Sequence, residues 1–274
     1  SRSSQIAHGG LRDLQHGNFA LLLESLRERK LLFLNAPHLL KRVPFIIPNF
    51  RWWEWPLYGF GLSLYDSLAG NLGMQKSRHL TSKEVLEKMP CIAKEHLYGG
   101  VMYYEGVFDD ARLALNLART ATLYGAVVLN HVKCVGLSKT GGEISGLVAS
   151  DESTGKEFKI SARSVVNATG VFVDALRRHD SERVLPLLEN RLGVHLVLPG
   201  RFLASDSALL VPNVHSGNTF FAVPWHGRVL VGCTDSVVEE ASLEPRALAE
   251  DVALIFSQIG QYLTTMPKVG DVLS

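Results

Sequence analysis

The stretch from Asp109 to Gly170 constrains the fold of this chain more than any other. Ala111, Ala114, Leu115, Ala118 and Ala121 recur at helical spacing. Asp109 or Asp110 can cap this helix over 111–124, and Gly125 closes it. Ala126-Val127-Val128-Leu129 reads as a short buried strand. Three antiparallel strands follow over 131–137, 144–150 and 156–160, with turns at Thr140-Gly141-Gly142 and Ser153-Thr154-Gly155. Ser164-Val165-Val166-Asn167 is a further strand that ends on the small residues Ala168-Thr169-Gly170. This order suits an α/β domain in which a strand end lets the backbone pass close to a dinucleotide.

The first fourteen residues carry the densest chemistry. Ser3 and Ser4 supply hydroxyls, His8 can donate or accept a proton near neutral pH, and Arg12 offers a planar fork for a phosphate or carboxylate. Gly9-Gly10 has no Cβ to keep a flat or anionic ligand away. The run reads as a cofactor-and-substrate loop rather than a helix or strand. It opens the chain with no leader, so we expect further protein upstream.

Elsewhere, residues 18–36 form a helix with Leu21, Leu22, Ser25, Leu26, Arg29, Leu32 and Phe33 near i, i+4 spacing, stopped by Pro37. The prolines of Val43-Pro44-Phe45-Ile46-Ile47-Pro48 push that strand toward a sheet edge. Residues 194–198, 208–211, 219–224 and 228–232 read as an antiparallel sheet, with His226-Gly227 as its last turn. Glu244-Pro245 opens a final helix with a stripe of Leu248, Val252, Ile255, Phe256, Ile259 and Leu263. Three of the four tryptophans lie in Trp52-Trp53-Glu54-Trp55, followed by Tyr58 and Tyr65. Two readings stay open for residues 49–70: a satellite core or domain interface, or a segment lying on a membrane surface. The segment is too short and too polar to span a bilayer.

Composition narrows the function. A net charge of +1 argues against nucleic acid as the main partner. Cys91, Cys134 and Cys233 are odd in number and widely spaced, with neither metal-ligand nor disulfide patterning, so a reducing compartment suits them and no metal site is expected. The chain is long enough for one large domain or two small ones.

The motifs together resemble the family of FAD-dependent sn-glycerol-3-phosphate dehydrogenases, the mitochondrial type more than the bacterial. The resemblance runs through His8-Gly9-Gly10-Leu11-Arg12, Ala36-Pro37-His38-Leu39, Trp52-Trp53 with Leu64-Tyr65-Asp66-Ser67-Leu68-Ala69-Gly70, and Tyr103-Tyr104-Glu105-Gly106 leading to Asp109-Asp110-Ala111-Arg112. It continues through Asn167-Ala168-Thr169-Gly170, Gly193-Val194-His195-Leu196, Pro224-Trp225 and Gly232-Cys233-Thr234-Asp235. The family's N-terminal G-x-G-x-x-G loop and its C-terminal part are absent, so the chain is similar to an internal segment of the family sequence. Asp13 stands where a tyrosine is usual, Leu192 where a small or polar residue is usual, and Cys233 where a threonine is common. A carboxylate at Asp13 would compete with a phosphate for Arg12.

The resemblance implies a fold of α/β plus antiparallel β: a partial FAD-binding Rossmann-like domain from 1–40 and 105–180, interleaved with an antiparallel-sheet substrate domain from 41–104 and 181–274. It implies oxidation of sn-glycerol-3-phosphate to dihydroxyacetone phosphate, with hydride to flavin N5 and electrons on to a membrane quinone. The work would be done peripherally at the mitochondrial inner membrane or a bacterial cytoplasmic membrane, with homo-oligomers possible. His8 would orient or deprotonate the substrate hydroxyl and Arg12 would hold its phosphate. Ser3, Ser4, Gly9 and Gly10 would line the flavin, Val132 would sit by the adenine, and Ala168, Thr169 and Gly170 would contact the phosphate or ribose side. Thr234 and Asp235 would shape the substrate pocket. From the residues alone, His8 also reads as a loop histidine bonded to backbone, Arg12 as half of an ion pair, and His195 as a satisfied sheet histidine more readily than a catalytic one. Asp109, Asp110 and Arg112 read as a helix cap and ion pair. Two other functions stay open: an oxidase that passes electrons to oxygen, and a non-catalytic part of a larger assembly.

Overall fold

The computed structural model describes residues 3–15, 17–181, 183–212 and 219–274, without the side chains of Arg12, Gln15 and Pro212. The chain divides into two compact units that alternate along the sequence. One comprises Ser1–Leu115, Gly193–Asp235 and Arg246–Ser274; the other comprises Asn116–Leu192 and Ser236–Pro245.

The first unit is built on one eight-stranded sheet. Its strands are β1 (Ile6–Ala7), β2 (Leu40–Asn49), β3 (Arg78–Thr81), β4 (Gly99–Phe108), β9 (His195–Pro199), β10 (Ala208–Pro212), β11 (Thr219–Trp225) and β12 (Arg228–Gly232). They run in the order β1-β4-β2-β10-β11-β12-β9, with β3 also paired to β4. All pairings are antiparallel except β10 with β2. The four predicted strands between 194 and 232 are all present, and Gly227 takes φ +74° in the last turn.

The strand β2 is interior rather than at an edge. It pairs along its whole length with β4, but with β10 only at Phe45 and Ile46. Pro44 and Pro48 flank that two-residue contact, so their missing N–H groups interrupt little of the ladder. Phe45, Ile47, Val101, Tyr103, Leu210, Phe221 and Val223 fill one sheet face as the central apolar cluster.

The opening run is more ordered than a loop. Ile6 and Ala7 join β4, and a five-residue helix, α1 (Leu11–Gln15), begins after Gly10. The carbonyl of Gly10 accepts the N–H groups of Asp13 and Leu14 at 3.0 and 3.2 Å, so between β1 and α1 only His8–Gly10 are irregular. The helix α2 (Phe19–Asn35) follows, capped by the Asn18 side chain on the Leu21 N–H at 3.2 Å. It buries Leu22, Leu26 and Arg29, spaced as one helical face. The tryptophan-rich segment forms a helix, α3 (Glu54–Ala69), whose Leu62, Tyr65 and Ala69 are buried. Tyr65 and Ala69 pack with Leu22 and Leu26 of α2. A short helix, α4 (Ser82–Lys88), starts with a reciprocal Thr81–Glu84 cap. The helix α5 (Asp110–Leu123) begins in this unit with Asp109 accepting the Arg112 N–H at 3.0 Å.

The second unit holds the meander of β5 (Val132–Thr140), β6 (Glu143–Asp151) and β7 (Glu157–Ser161), as the sequence predicts. Asp151 draws in the Ser153 N–H and the Ser153 and Thr154 hydroxyls, which hold its carboxyl down near a pKa of about 2. A short helix, α6 (Val173–Asp180), and a two-stranded ribbon of β8 (Arg191–Leu192) with β13 (Ser236–Val237) complete this unit. The expected strands at 126–129 and 164–167 do not form: Val127 is 84% and Val166 83% exposed, and neither run has a strand partner among the described residues. An apolar run becomes a strand only when a neighbour satisfies its backbone.

The last helix, α7 (Ala249–Ile259), belongs to the first unit and starts later than Pro245. Asp251 sets that start by accepting the Leu248 N–H at 3.2 Å. Leu248 itself is exposed, while Ile255, Phe256 and Ile259 are buried as the stripe predicts.

Leu22 lies at 0% exposure where α2 meets α3. Leu22→Ala is expected to cost about 3 kcal/mol of stability, read as a lowered midpoint in urea unfolding followed by helical circular dichroism.

Candidate active site

The residues His8–Gly10 are held from four sides. The β1–β4 ladder stops at the Ala7–Gly106 pair. Past it, Gly9 donates its N–H to Glu105 Oε2 at 3.0 Å, so a side chain takes over where the backbone ladder ends. Arg29 Nη1, from α2, donates to the same oxygen at 2.6 Å, and both side chains are only 2% exposed. The Tyr65 hydroxyl, from α3, completes the cluster: a Cβ on Gly9 would stand 2.0 Å from it and 2.2 Å from Arg29 Nη1. Gly9 is therefore required by protein packing. Gly10 takes φ +78°, and a Cβ there would stand 3.1 Å from the Leu22 backbone.

Electrostatics in this cluster follow from its burial. Burial pushes the Glu105 carboxyl up to about 7, against the opposing pull of Arg29 and the Gly9 N–H. Burial alone would lower the Arg29 guanidinium, but Glu105 outweighs it and the group is raised. His8 presents its side chain to solvent, yet the surrounding protein and then the Arg29 charge lower its pKa, while Asp13 partly opposes them. Asp13, read from sequence as a competitor for Arg12, thus also acts on His8. An open groove of about 300 Å³ beside His8 is lined by Leu21, Ser25 and Leu32, with Glu24 and Glu28. Those carboxylates make it a poor seat for a phosphate.

The other expected residues fall in several places. Ser3 and Ser4 are half-buried just before β1, and the Ser3 hydroxyl accepts the Gln5 N–H at 3.1 Å. The Arg12 side chain lies outside the described residues. Thr234 is 1% exposed, and its hydroxyl accepts the Val194 N–H at 3.1 Å, which clasps two stretches of chain together. Asp235 beside it is half-buried. In the second unit, Val132 starts β5 opposite Asp151. Ala168, Thr169 and Gly170 form an exposed turn, in which Gly170 takes φ +58° with nothing within 4 Å of where a Cβ would stand.

Sequence reasoning passed over several residues. Asn167 organises the Ala168–Gly170 turn: its Oδ1 accepts the Thr169 hydroxyl at 2.7 Å, and its Nδ2 donates to the Val173 carbonyl at 3.0 Å. Arg29 and Glu105 were both visible as charges on apolar faces. His195 is not the satisfied sheet histidine expected. Its buried Nε2 has no hydrogen-bond partner among the described residues, and burial lowers its pKa. Its ring lies 5.6 Å from that of Phe221, and Gly232 across the ladder leaves it room. Phe221 belongs to the central apolar cluster, against which Leu11 and Cys233 also pack. The His8 loop, His195 and the Thr234 turn therefore border one core.

The expected behaviour of His8 follows from the sign of its shift. A histidine with a lowered folded pKa is neutral at pH 7, and its stabilising contribution is present above pH 6.5 and lost as pH falls through the folded value. An NMR titration of imidazole signals, with His8→Gln to assign the resonance, should give a His8 midpoint below 6.5; a midpoint at or above it contradicts this account.

Comparisons with known proteins agree along the entire chain. Residues 1–274 match the DAO family, described as FAD dependent oxidoreductase. The mitochondrial glycerol-3-phosphate dehydrogenase of Mus musculus is 35% identical over 289 aligned residues, covering 100% of this chain and 40% of the mouse protein. The chain thus spans less than half the length of the curated relatives it matches. A glycerol-3-phosphate dehydrogenase from Bacillus halodurans, solved with FAD, superposes with a TM-score of 0.80 at 29% identity, over 100% of this chain and 47% of that one. An L-alpha-glycerophosphate oxidase from Mycoplasma pneumoniae shares the fold, with a TM-score of 0.75 at 16% identity over 100% and 70% of the two chains. On this match over its whole length, the chain belongs to the family of FAD dependent oxidoreductases.

Proposed function

We propose that this chain forms part of an enzyme that oxidises sn-glycerol-3-phosphate to dihydroxyacetone phosphate, with FAD as cofactor and a membrane quinone as final electron acceptor. The observation that carries the reading is the likeness of the whole chain to mitochondrial glycerol-3-phosphate dehydrogenases. Bound FAD would supply the acceptor for the hydride leaving the alcohol carbon. Neutral His8 takes the hydroxyl proton, which its lowered pKa permits at pH 7. Arg12 holds the substrate phosphate. Ser3 and Ser4 line the flavin, while Gly9 and Gly10, whose Cα faces pack on protein, meet it through backbone alone. The open Ala168–Thr169–Gly170 turn is compatible with close approach of an anionic ligand, with Val132 beside the adenine. Thr234 and Asp235 shape the substrate pocket. In this division of labour, residues 1–40 and 105–180 serve the flavin and 41–104 and 181–274 serve the substrate. It cuts across the compact units, because the His8 loop shares its unit with the substrate strands.

The protein would act at the surface of the mitochondrial inner membrane, or of the cytoplasmic membrane in a bacterial source. No described helix is long and apolar enough to cross a membrane. Surface attachment rests instead on α3. Leu57, Phe60 and Leu64 lie along one of its faces and are 54%, 73% and 39% exposed, and Trp52 just before the helix is 72% exposed. Apolar and aromatic groups displayed in this way suit the headgroup boundary of a bilayer.

Purified full-length protein supplied with FAD is expected to show the visible flavin band and to lose it when sn-glycerol-3-phosphate is added under nitrogen. A sample that stays colourless with added FAD sinks the catalytic reading and assigns these residues a structural part in a larger assembly. For the membrane, the Trp52→Ser/Phe60→Ser double variant should float with liposomes several-fold less than the unsubstituted protein; equal flotation would show that α3 is not the attachment surface.

A further inference from the structure

We infer that the buried Arg29–Glu105 pair is a positioning device for His8, holding the loop that carries the proposed base at a fixed distance from the sheet. This deepens the catalytic reading above and rests on it. One edge of β4 carries a free stretch. On that edge, β3 pairs with Gly99–Met102 and β1 pairs with Gly106–Val107. Between them, Tyr103–Glu105 have no strand neighbour on that edge among the described residues, although β2 pairs with them on the other. His8 follows directly after β1, where a continued ladder would carry the chain flat along β4. The chain instead lifts off. Its next backbone donor, Gly9 N–H, is caught by the Glu105 carboxylate.

His8 is thus bracketed, with backbone pairing at Ala7 before it and a charge-assisted bond at Gly9 after it. The carboxylate could swing if it stood alone. Arg29 stops that motion from the α2 side at 2.6 Å, and Tyr65 fills the remaining space from α3. Gly9 is the only residue type that fits beneath those two side chains. Such a pair is a costly way to stabilise a core, since apolar residues of similar volume often do as well or better. What apolar residues could not do is accept the Gly9 N–H. Glu105 and Arg29 need touch neither substrate nor flavin, so both are positioning residues. Their effect should fall on the turnover step, where small misplacement of a base is expensive.

The test uses the full-length, FAD-loaded protein. Two variants are compared with the unsubstituted form: Glu105→Gln, and Arg29→Met/Glu105→Leu, which swaps the pair for apolar side chains and guards against misfolding from one uncompensated charge. Hydrogen–deuterium exchange by mass spectrometry is read over Ile6–Leu11, with thermal melting and the flavin spectrum as checks on folding and loading. Steady-state kinetics with sn-glycerol-3-phosphate follow. In the double variant, exchange across this segment should rise about tenfold or more while the protein still melts cooperatively. In both variants, kcat should fall by about 10- to 100-fold with KM changing far less, and Glu105→Asp should restore part of the loss. Unchanged exchange in a folded double variant overturns the proposal, as does equal loss in kcat and in FAD content, which would mark the pair as merely structural. Should the unsubstituted protein not oxidise sn-glycerol-3-phosphate, the catalytic reading fails by itself, while the exchange measurement still decides whether the pair anchors the loop.

Discussion

A carboxylate with almost no access to water, met by a guanidinium at 2.6 Å and a backbone N–H at 3.0 Å, organises the first unit. Glu105 stands in the middle strand of a three-way junction, with β2 on one side and the end of β1 on the other. Arg29 reaches it from α2, and Tyr65 closes over it from α3. Four segments distant in sequence therefore meet at one charge. Losing one member of such a pair leaves the other buried and uncompensated, at a cost of about 3–5 kcal/mol. The raised pKa of Glu105 shows how far burial opposes the charge even with two donors present. The geometry of the loop and the stability of the sheet are thus coupled at a single point.

The sequence disclosed local structure well and long-range structure poorly. Alternation and glycine turns placed the three meander strands and the four strands between 194 and 232, because half-buried antiparallel strands write their own period into the chain. The interior position of β2 was not legible. Prolines forbid an interior strand only where a neighbour needs their N–H, and the two-residue contact with β10 avoids both of them. Runs 126–129 and 164–167 failed for the opposite reason: they have the apolar character of strands, but no neighbour among the described residues accepts their backbone.

The site was half legible. His8 and its two glycines stood out by composition, but the reason for the glycines did not. The sequence reads them as room for a ligand, whereas the space at Gly9 is taken by Arg29 and Tyr65. Arg29 sits seven residues after Leu22, on the helical face that Leu22 and Leu26 bury, and Glu105 is the only charge in the run from Gly99 to Phe108. Each signal is readable once found, yet only the fold shows that the two answer one another across 76 residues. His195 shows the same limit, since the sequence of its strand cannot reveal that its Nε2 lacks a partner.

The helix α3 links these observations. A helix on a protein surface needs one apolar face, but this one carries two: Leu62, Tyr65 and Ala69 face the core, while Leu57, Phe60 and Leu64 face outward. The inner face ends in the hydroxyl that helps confine Gly9. An α-helix with its side chains is about 10 Å across. A surface seated on the outer face would therefore lie about that distance from the side chain that confines the His8 loop, joined to it by rigid backbone. No separate linker would be needed to bring a membrane and a reacting loop into register. On the proposed membrane reading, the aromatic residues of 52–65 have one explanation in place of two, because the same turns of helix complete the core beneath the His8 loop and present apolar surface on their far side.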